Sequence, residues 1–552
     1  MVSDMKYRLF YIAYCSLFII LVACSGKQQK QDALLMAVAD SAAVTVEPTM
    51  EELTLPDTVY ASVGAMKYVV EDVDSVPRPL QYYDDLYDRA DRVMTFRRNQ
   101  LRDASFSGHV EGTPKEIEVV WSYDTPYGHA ETKFGQWGGG TGWTGQPLYV
   151  HWTEAEIDSL RKGSAPLTAD FGPEEIMVGS LCGEAFFFNF ETGKLSRQPL
   201  DLHNVVKGTM SMDPELMNLY VGQGVPKGEP LGCQAFSLTT HQRGTFFSDP
   251  KAWRGWQAFD SSPIVAGGYL FWPGENGSLF KFERQAGGVL RRVSTLRYRV
   301  NGAAPGIESS LCVYRNYGFF SDNHGNIVGV NLNTMRPVWH VKNLDDSDGT
   351  ITCRIEDASS ATSSAASSAS GGPPDGTPFL YTACEVDKQG SHGHCRFLKL
   401  KALTGEIVWE SLIDCNRIDL GSKILDGGMY ATPLLGQGDC EDILFANVCR
   451  NSSHSDRGQL TAISTADGRV LYTVGYGNFC WLSPVGFTNE NDEFFVFTAD
   501  ANGVVYVIRG KDGEVLCKKP MGANFESSPC VVGNSLVVGC RGTKIYKFRI
   551  KS

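Results

Sequence analysis

At 552 residues the chain is about three to four times the usual domain size, so its core must either grow by repetition or divide among domains. Hydrophobic residues at 42% and charged residues at 20% match ordinary globular usage, which excludes bulk disorder and a multispanning membrane protein. A net charge of −13 with no long Lys/Arg run excludes a general attraction to phosphate backbones, and no nucleic-acid partner is expected. The 58 glycines and 25 prolines, beside 29 Phe, 22 Tyr and 10 Trp, suit many short strands joined by tight turns, so the composition leans to all-β.

The first element is a targeting segment. Lys6 and Arg8 precede an apolar stretch from Leu9 to Ala23, the layout of a secretory signal, too short and too soon followed by polar residues to span a bilayer. It runs into Leu21-Val22-Ala23-Cys24-Ser25-Gly26, which resembles the lipobox of bacterial lipoproteins. That resemblance implies removal of residues 1–23, acylation of Cys24, export, and a membrane anchor at the outer membrane on a periplasmic or surface face. An uncleaved anchor with a chance cysteine is the alternative. The cut takes away Asp4, Lys6 and Arg8 and leaves a mature charge of about −14.

Of the 15 cysteines, Cys15 leaves with the signal and Cys24 carries lipid, so the rest meet an oxidising compartment in which disulfides form. Their number is odd and at least one stays free. Cys384 with Cys395, Cys440 with Cys449, and Cys530 with Cys540 are spaced to face each other across hairpins as candidate disulfides, with buried free thiols as the alternative.

Residues 24–115 read as a lipid-anchored tether, polar and without sustained periodicity to about residue 78. Asp40-Ser41-Ala42, Asp57-Thr58-Val59 and Asp74-Ser75-Val76 resemble an O-glycosylation acceptor pattern of one group of bacteria. Tyr82, Leu86, Ala90 and Val93 at helical spacing predict one short helix within 79–104.

From residue 116 to 552 the pattern becomes short β-rich runs between Gly, Asn and Asp, with a recurrent unit. Asp260-Ser261-Ser262-Pro263, Glu308-Ser309-Ser310-Leu311 and Glu526-Ser527-Ser528-Pro529 each open a small-residue strand, and looser copies begin at Thr144, Lys207, Asp348, Tyr430 and Trp481. Residues 358–372, nearly all Ser, Ala, Thr and Gly, form a flexible insertion that lengthens one unit. A central turn recurs at Asn276-Gly277, His324-Gly325, Arg457-Gly458, Asn502-Gly503 and Arg541-Gly542. A second turn follows at Thr192-Gly193, Thr404-Gly405, Asp467-Gly468 and Asp512-Gly513, leading to outer strands such as Pro337-Val338-Trp339 and Ile407-Val408-Trp409.

This succession of strand, Gly turn, strand, Thr-Gly turn and strand ending in Trp resembles the quinoprotein-like (PQQ-like) propeller repeat. The resemblance implies an all-β propeller of eight blades, with seven as the alternative. The unit at Glu526 has room for three strands, and Val119-Val120-Trp121 stands alone as an outer strand, so the N-terminal strand is expected to complete the closing blade.

Superposed repeats gather Thr144, Lys207, Asp260, Glu308, Asp348, Tyr430, Trp481 and Glu526 at one axial mouth. Of these, Asp260, Glu308, Asp348, Glu526, Trp481 and Tyr430 are the candidate axial ligand or cation site, because converging carboxylates are costly unless neutralised or solvated. A wet, acidic channel mouth is the plainer reading. The resemblance also raises pyrroloquinoline quinone (PQQ) with calcium, against which stand the absence of adjacent cysteines and of a Cys-x-x-Cys-His haem site. His392, His394 and Cys395 near Cys384 offer soft-metal ligands, but their spacing fits no closed zinc pattern and reads better as an exposed hairpin. The loop Trp137-Gly138-Gly139-Gly140-Thr141-Gly142-Trp143 lacks the ending of a phosphate loop and is expected to cover the mouth.

The expected function is a non-catalytic binding or scaffold module of the cell envelope. Its partner is an envelope protein or a small ligand, met at the aromatic rim of Trp143, Trp253, Trp256, Trp272 and Trp481. The alternatives are a PQQ-dependent oxidoreductase, with Asp260 or Glu308 as proton acceptor, and a glycan-binding surface lipoprotein.

Overall fold

The computed structural model describes residues 49–73, 78, 80–81, 83–104, 108–127, 131–132, 135–143, 145–356, 376–419, 421 and 424–552. The signal, Cys24, two of the three acceptor tripeptides, Tyr82, Thr144 and the insertion 358–372 lie outside them; Thr58 of the third tripeptide is exposed.

Eight sheets of four or five strands, antiparallel except where Gly108–His109 pairs parallel with Val485–Thr488, follow one another along the chain as the blades of a propeller. Their innermost strands begin at Leu148, Ser211, Ile264, Cys312, Thr352, Leu434, Val485 and Cys530, which number blades 1 to 8. Each lies four residues beyond one of the eight repeat starts. The expected closure is present: Glu116–Asp124 pairs antiparallel with Lys544–Lys551 and supplies the outer strand of blade 8. Closing the ring this way leaves no open edge between the first and last blade.

At five of the eight junctions the third residues of successive repeat starts join neighbouring blades. The backbone N–H of Gln146 donates to Thr209 Oγ1 at 3.0 Å, Ser262 to Ser310 Oγ at 2.9 Å, Ser310 to Thr350 Oγ1 at 3.0 Å, Thr350 to Thr432 Oγ1 at 3.2 Å, and Thr432 to Ser483 Oγ at 3.0 Å. A short hydroxyl reaches the preceding blade's amide where a larger side chain would crowd the axis, and it satisfies a donor that the inner edge leaves unpaired.

At the periphery, tryptophan and glycine make the junctions. Trp121 Nε1 donates to Phe190 O, Trp339 Nε1 to Ala402 O and Trp409 Nε1 to Thr465 O, each at 2.9 Å and each on the following blade. The ring lies against the second-turn glycine of that blade. A β-carbon on Gly193, Gly405 or Gly468 would come within 2.5, 2.7 or 2.6 Å of the indole, and all three have positive φ. Only glycine satisfies both conditions. Tyr472 makes the same contact with the turn of blade 7, its hydroxyl bonding Gly510 O. Buried lysines reinforce two of these carbonyls, Lys547 on Phe190 O and Lys399 on Thr465 O, both at 3.0 Å.

The segment read as tether and helix is instead structural from residue 83 to 104. Its described residues form no helix: Arg92 and Val93 are a short strand, and beyond them Arg97, Arg98, Arg102 and Ala104 hold φ between 56° and 71°. That conformation costs roughly 1–2 kcal/mol per residue and is sustained here by buried hydrogen bonds. The segment bonds the inner strand of each of the eight blades or the residues that open it. Arg92 and Val93 pair with Val150 and Tyr149 of blade 1, Met94 O accepts from Met212 N of blade 2, and Thr95 Oγ1 donates to Pro263 O of blade 3. Gln100 O and Leu101 O accept from Val313 N and Cys353 N of blades 4 and 5. Arg97 donates to Thr432 O and Pro484 O, at 2.7 and 2.8 Å, at the openings of blades 6 and 7, and Arg98 reaches Val531 O of blade 8 at 3.5 Å. The propeller is therefore plugged by its own chain.

Two of the five carboxyls between residues 83 and 104 are shifted by burial. Asp85 accepts from the amides of Tyr87 and Gln100, and burial pushes its pKa up to about 7; burial likewise pushes Asp103, which accepts from Asn99 Nδ2, up to about 6. Both bind a proton more tightly folded than unfolded, where a carboxyl titrates near pH ~4. Their stabilising contribution is complete below that pH and is lost as pH rises through 6 to 7. Amide exchange of residues 92–104, corrected for intrinsic rate, is expected to lose protection between pH 5 and pH 8, and less so in Asp85→Asn; protection that rises with pH would contradict the assignment.

Candidate functional site

The residues that open the repeats, Thr144 lying outside the described ones, stand just ahead of the innermost strands. The structure sorts these residues into separate groups and adds three carboxylates that the repeat starts do not contain. Asp260 and Glu308 meet Glu275, and Asp348 meets Asp346 and Glu385; within each trio the ligand oxygens lie within 4.8 Å of one another. Glu526 stands apart, accepting from Asn524 Nδ2 at 2.6 Å and facing Arg541 at 3.8 Å. Tyr430 and Trp481 stack at 4.9 Å with an interplanar angle of 29°, and Phe479 lies 4.9 Å from the same indole.

The glycine-rich loop covers the mouth as expected. Trp143 Nε1 reaches across to Tyr430 O at 3.1 Å, while the Trp137 ring packs 5.1 Å from the Arg541 guanidinium. Of the other rim tryptophans, Trp253 and Trp256 are half-buried, but Trp272 is fully buried in the core beside Phe259 and Tyr220 and is no part of a surface.

Glu275 and Glu385 each follow the second strand of blades 3 and 5, whose inner strands open with Asp260 and Asp348. A signal for them existed, an acid at the same place in two repeats, yet Asp322 and Asp500 follow the second strand in blades 4 and 7 and serve as turn caps instead. Sequence position alone does not separate the two roles.

The electrostatics of the trios differ. In the first, the Lys207 ammonium bonds Asp260 and lies 3.9 Å from Glu275. Burial works against that ammonium, but Asp260, Glu275 and Glu308 outweigh it and hold the lysine charged. Burial and the neighbouring acids raise Glu275 well above the carboxylate range, and burial raises Glu308 to about 7. In the second trio the nearest ammonium, Lys388, touches Asp346 at 3.3 Å and is half exposed. Burial, followed by the mutual repulsion of the acids, raises Asp348 and Glu385 well above their ordinary values.

PQQ is a polycarboxylate anion, and this mouth presents six converging carboxylates to it. The two lysines are already bonded, and Tyr430 fills the face of Trp481 that a planar quinone would need. The residues do not fit that cofactor, and no step is assigned to it.

The soft-metal set does not converge. Along the strand His392–Lys401, His392 and His394 point outward to Asn416 and Asp414 at 2.9 Å each, while Cys395 alternates into a fully buried cluster. All the cysteines from Cys182 to Cys540 are thiols. Cys530 and Cys540 lie in different clusters on opposite faces of their sheet, and Cys440 and Cys449 lie at opposite ends of the strand Ile443–Val448. Cys384 and Cys395 are both buried, Cys384 Sγ accepting from Arg396 N at 3.3 Å.

Fold and site together define an eight-bladed β-propeller with a plugged axis and an acidic mouth. No family model matches the chain, and no curated protein does. Among solved structures, the crystal structure of BamB from Moraxella catarrhalis is similar at 13% identity and a TM-score of 0.45, covering 70% of this chain and 95% of that one. The computationally designed Ika8 protein is similar at 12% identity and a TM-score of 0.44, covering 70% of this chain and 98% of that one.

Proposed function

We propose that the chain is an exported, lipid-anchored propeller that acts as a non-catalytic binding or scaffold module of the cell envelope. The observation that carries this reading is the axial plug: residues 92–104 bond every blade, so the axis is occupied by the chain itself and the loops and acidic mouth remain for recognition. The lipid anchor rests on Cys24 and its flanking residues. The partner is an envelope protein or a small ligand gripped by the mouth and its loop rim.

The test is capture of the full chain from detergent-solubilised envelope after cross-linking, beside the Cys24→Ser variant. The expected result is one envelope protein recovered in about equal amount with the wild type, and release of Cys24→Ser to the soluble fraction. Recovery of the propeller alone, together with dye reduction by the purified body given PQQ and calcium, would replace this reading with the oxidoreductase.

A further inference from the structure

We propose that Asp346, Asp348 and Glu385 form a binding site for a hard divalent cation, calcium in the first place. Three carboxylates with ligand oxygens within 4.8 Å repel one another, and each carries a buried oxygen without a hydrogen-bond partner: Asp346 Oδ1, Asp348 Oδ1 and Glu385 Oε1. Glu385 is only 3% exposed, so bulk water does not relieve its orphaned oxygen. An unpaired charge at such depth is costly, and a cation at the point of convergence removes the cost for all three groups at once.

The same mouth contains the internal comparison. In the trio of Asp260, Glu275 and Glu308 the fold supplies its own cation, the Lys207 ammonium. In the second trio Lys388 approaches Asp346 only, half exposed, and spends a further hydrogen bond on Asn323 O at 2.5 Å. Asp348 and Glu385 have no counterpart of Lys207 among the described residues. The donor set is all oxygen, with neither thiolate nor imidazole, which selects calcium or magnesium over zinc or copper. Calcium is favoured because six to eight oxygens at about 2.3–2.6 Å tolerate an irregular carboxylate cage completed by water. The site uses no quinone and does not depend on the scaffold reading, since cation binding and partner capture are measured separately.

The experiment uses the whole mature chain, stripped with chelator and titrated with calcium chloride by calorimetry. In parallel, terbium luminescence excited through the aromatic residues is competed by calcium; Tyr430, bonded to Glu385, and its neighbour Trp481 lie close enough to sensitise it. Saturable binding of one calcium is expected, weakened about tenfold or more in Glu385→Gln, which keeps shape and removes one charge. Asp348→Asn is expected to weaken binding equally and covers the case in which Glu385→Gln does not fold. Glu410→Gln removes a charge from the exposed outer strand of the same blade and is expected to bind as the wild type does. Absence of calcium binding to the stripped chain, or equal affinity in the wild type, Glu385→Gln and Asp348→Asn, overturns the proposal.

Discussion

Trp339→Ala is expected to lower the stability of the propeller by about 3–5 kcal/mol, the range for emptying a buried tryptophan site. The indole is 0% exposed, stacks on Phe319 at 5.8 Å and donates to Ala402 O of the next blade. Its loss leaves a cavity between blades 4 and 5 and an unpaired carbonyl at the turn. Trp339→Phe, which keeps most of the ring, should lose only about 1–3 kcal/mol through the orphaned acceptor. Gly405→Ala attacks the same junction from the other side, through both positive φ and collision with the indole. Urea unfolding monitored by near-UV circular dichroism measures all three. An alanine variant as stable as an exposed-site substitution would show that ring and turn do not hold the blades together.

The second large effect is at the plug. Arg102 is 0% exposed and donates through Nε to Leu311 O at 2.9 Å, and through its two terminal nitrogens to Thr95 Oγ1, Phe96 O and Ser262 O at 2.8, 2.6 and 3.3 Å. Arg102→Met fills similar volume and strands four acceptors at the centre of the disc. Each orphaned buried group costs about 1–3 kcal/mol, so a loss of about 3 kcal/mol or more is expected. Arg102→Lys should recover little, because one ammonium cannot reproduce the planar fork. The loss should be local first: limited proteolysis is expected to cut within 83–104 while the blades stay intact. If cleavage there is no faster than in the wild type, the segment is not held by this guanidinium.

What could be read from the chain before folding is clearest at the blade starts. Asp260-Ser261-Ser262-Pro263 and its copies are local patterns, and local patterns are what turn chemistry and period-two alternation encode. They placed every innermost strand, and Val119-Val120-Trp121 standing alone anticipated the strand that closes the ring, Glu116–Asp124. The Thr-Gly turns and outer-strand tryptophans were visible as well, but as parts of one blade. The structure shows that Trp339 meets the turn of the following blade, a contact 63 residues away to Ala402 that no local pattern distinguishes.

The plug was misread for a related reason. Leu86, Ala90 and Val93 carry helical spacing, yet that preference is weak beside the hydrogen bonds Arg97 and Arg102 make to blade backbones, with Arg97 reaching Pro484 across 387 residues. For Cys530 and Cys540, nearness along the chain does not put two side chains on one sheet face.

By itself, then, the sequence determined the eightfold repeat, the all-β class, the closing strand and the acidic character of one mouth, because each is written in short-range pattern and composition. Only the tertiary structure decided that the N-terminal segment fills the axis, that Trp339 and Gly405 belong to one junction, and that Glu275 and Glu385 join the acids while Asp322 and Asp500 cap turns. Those outcomes depend on which groups the closed ring brings within a few ångströms. That distance follows from the curvature of the whole disc and not from any segment of it.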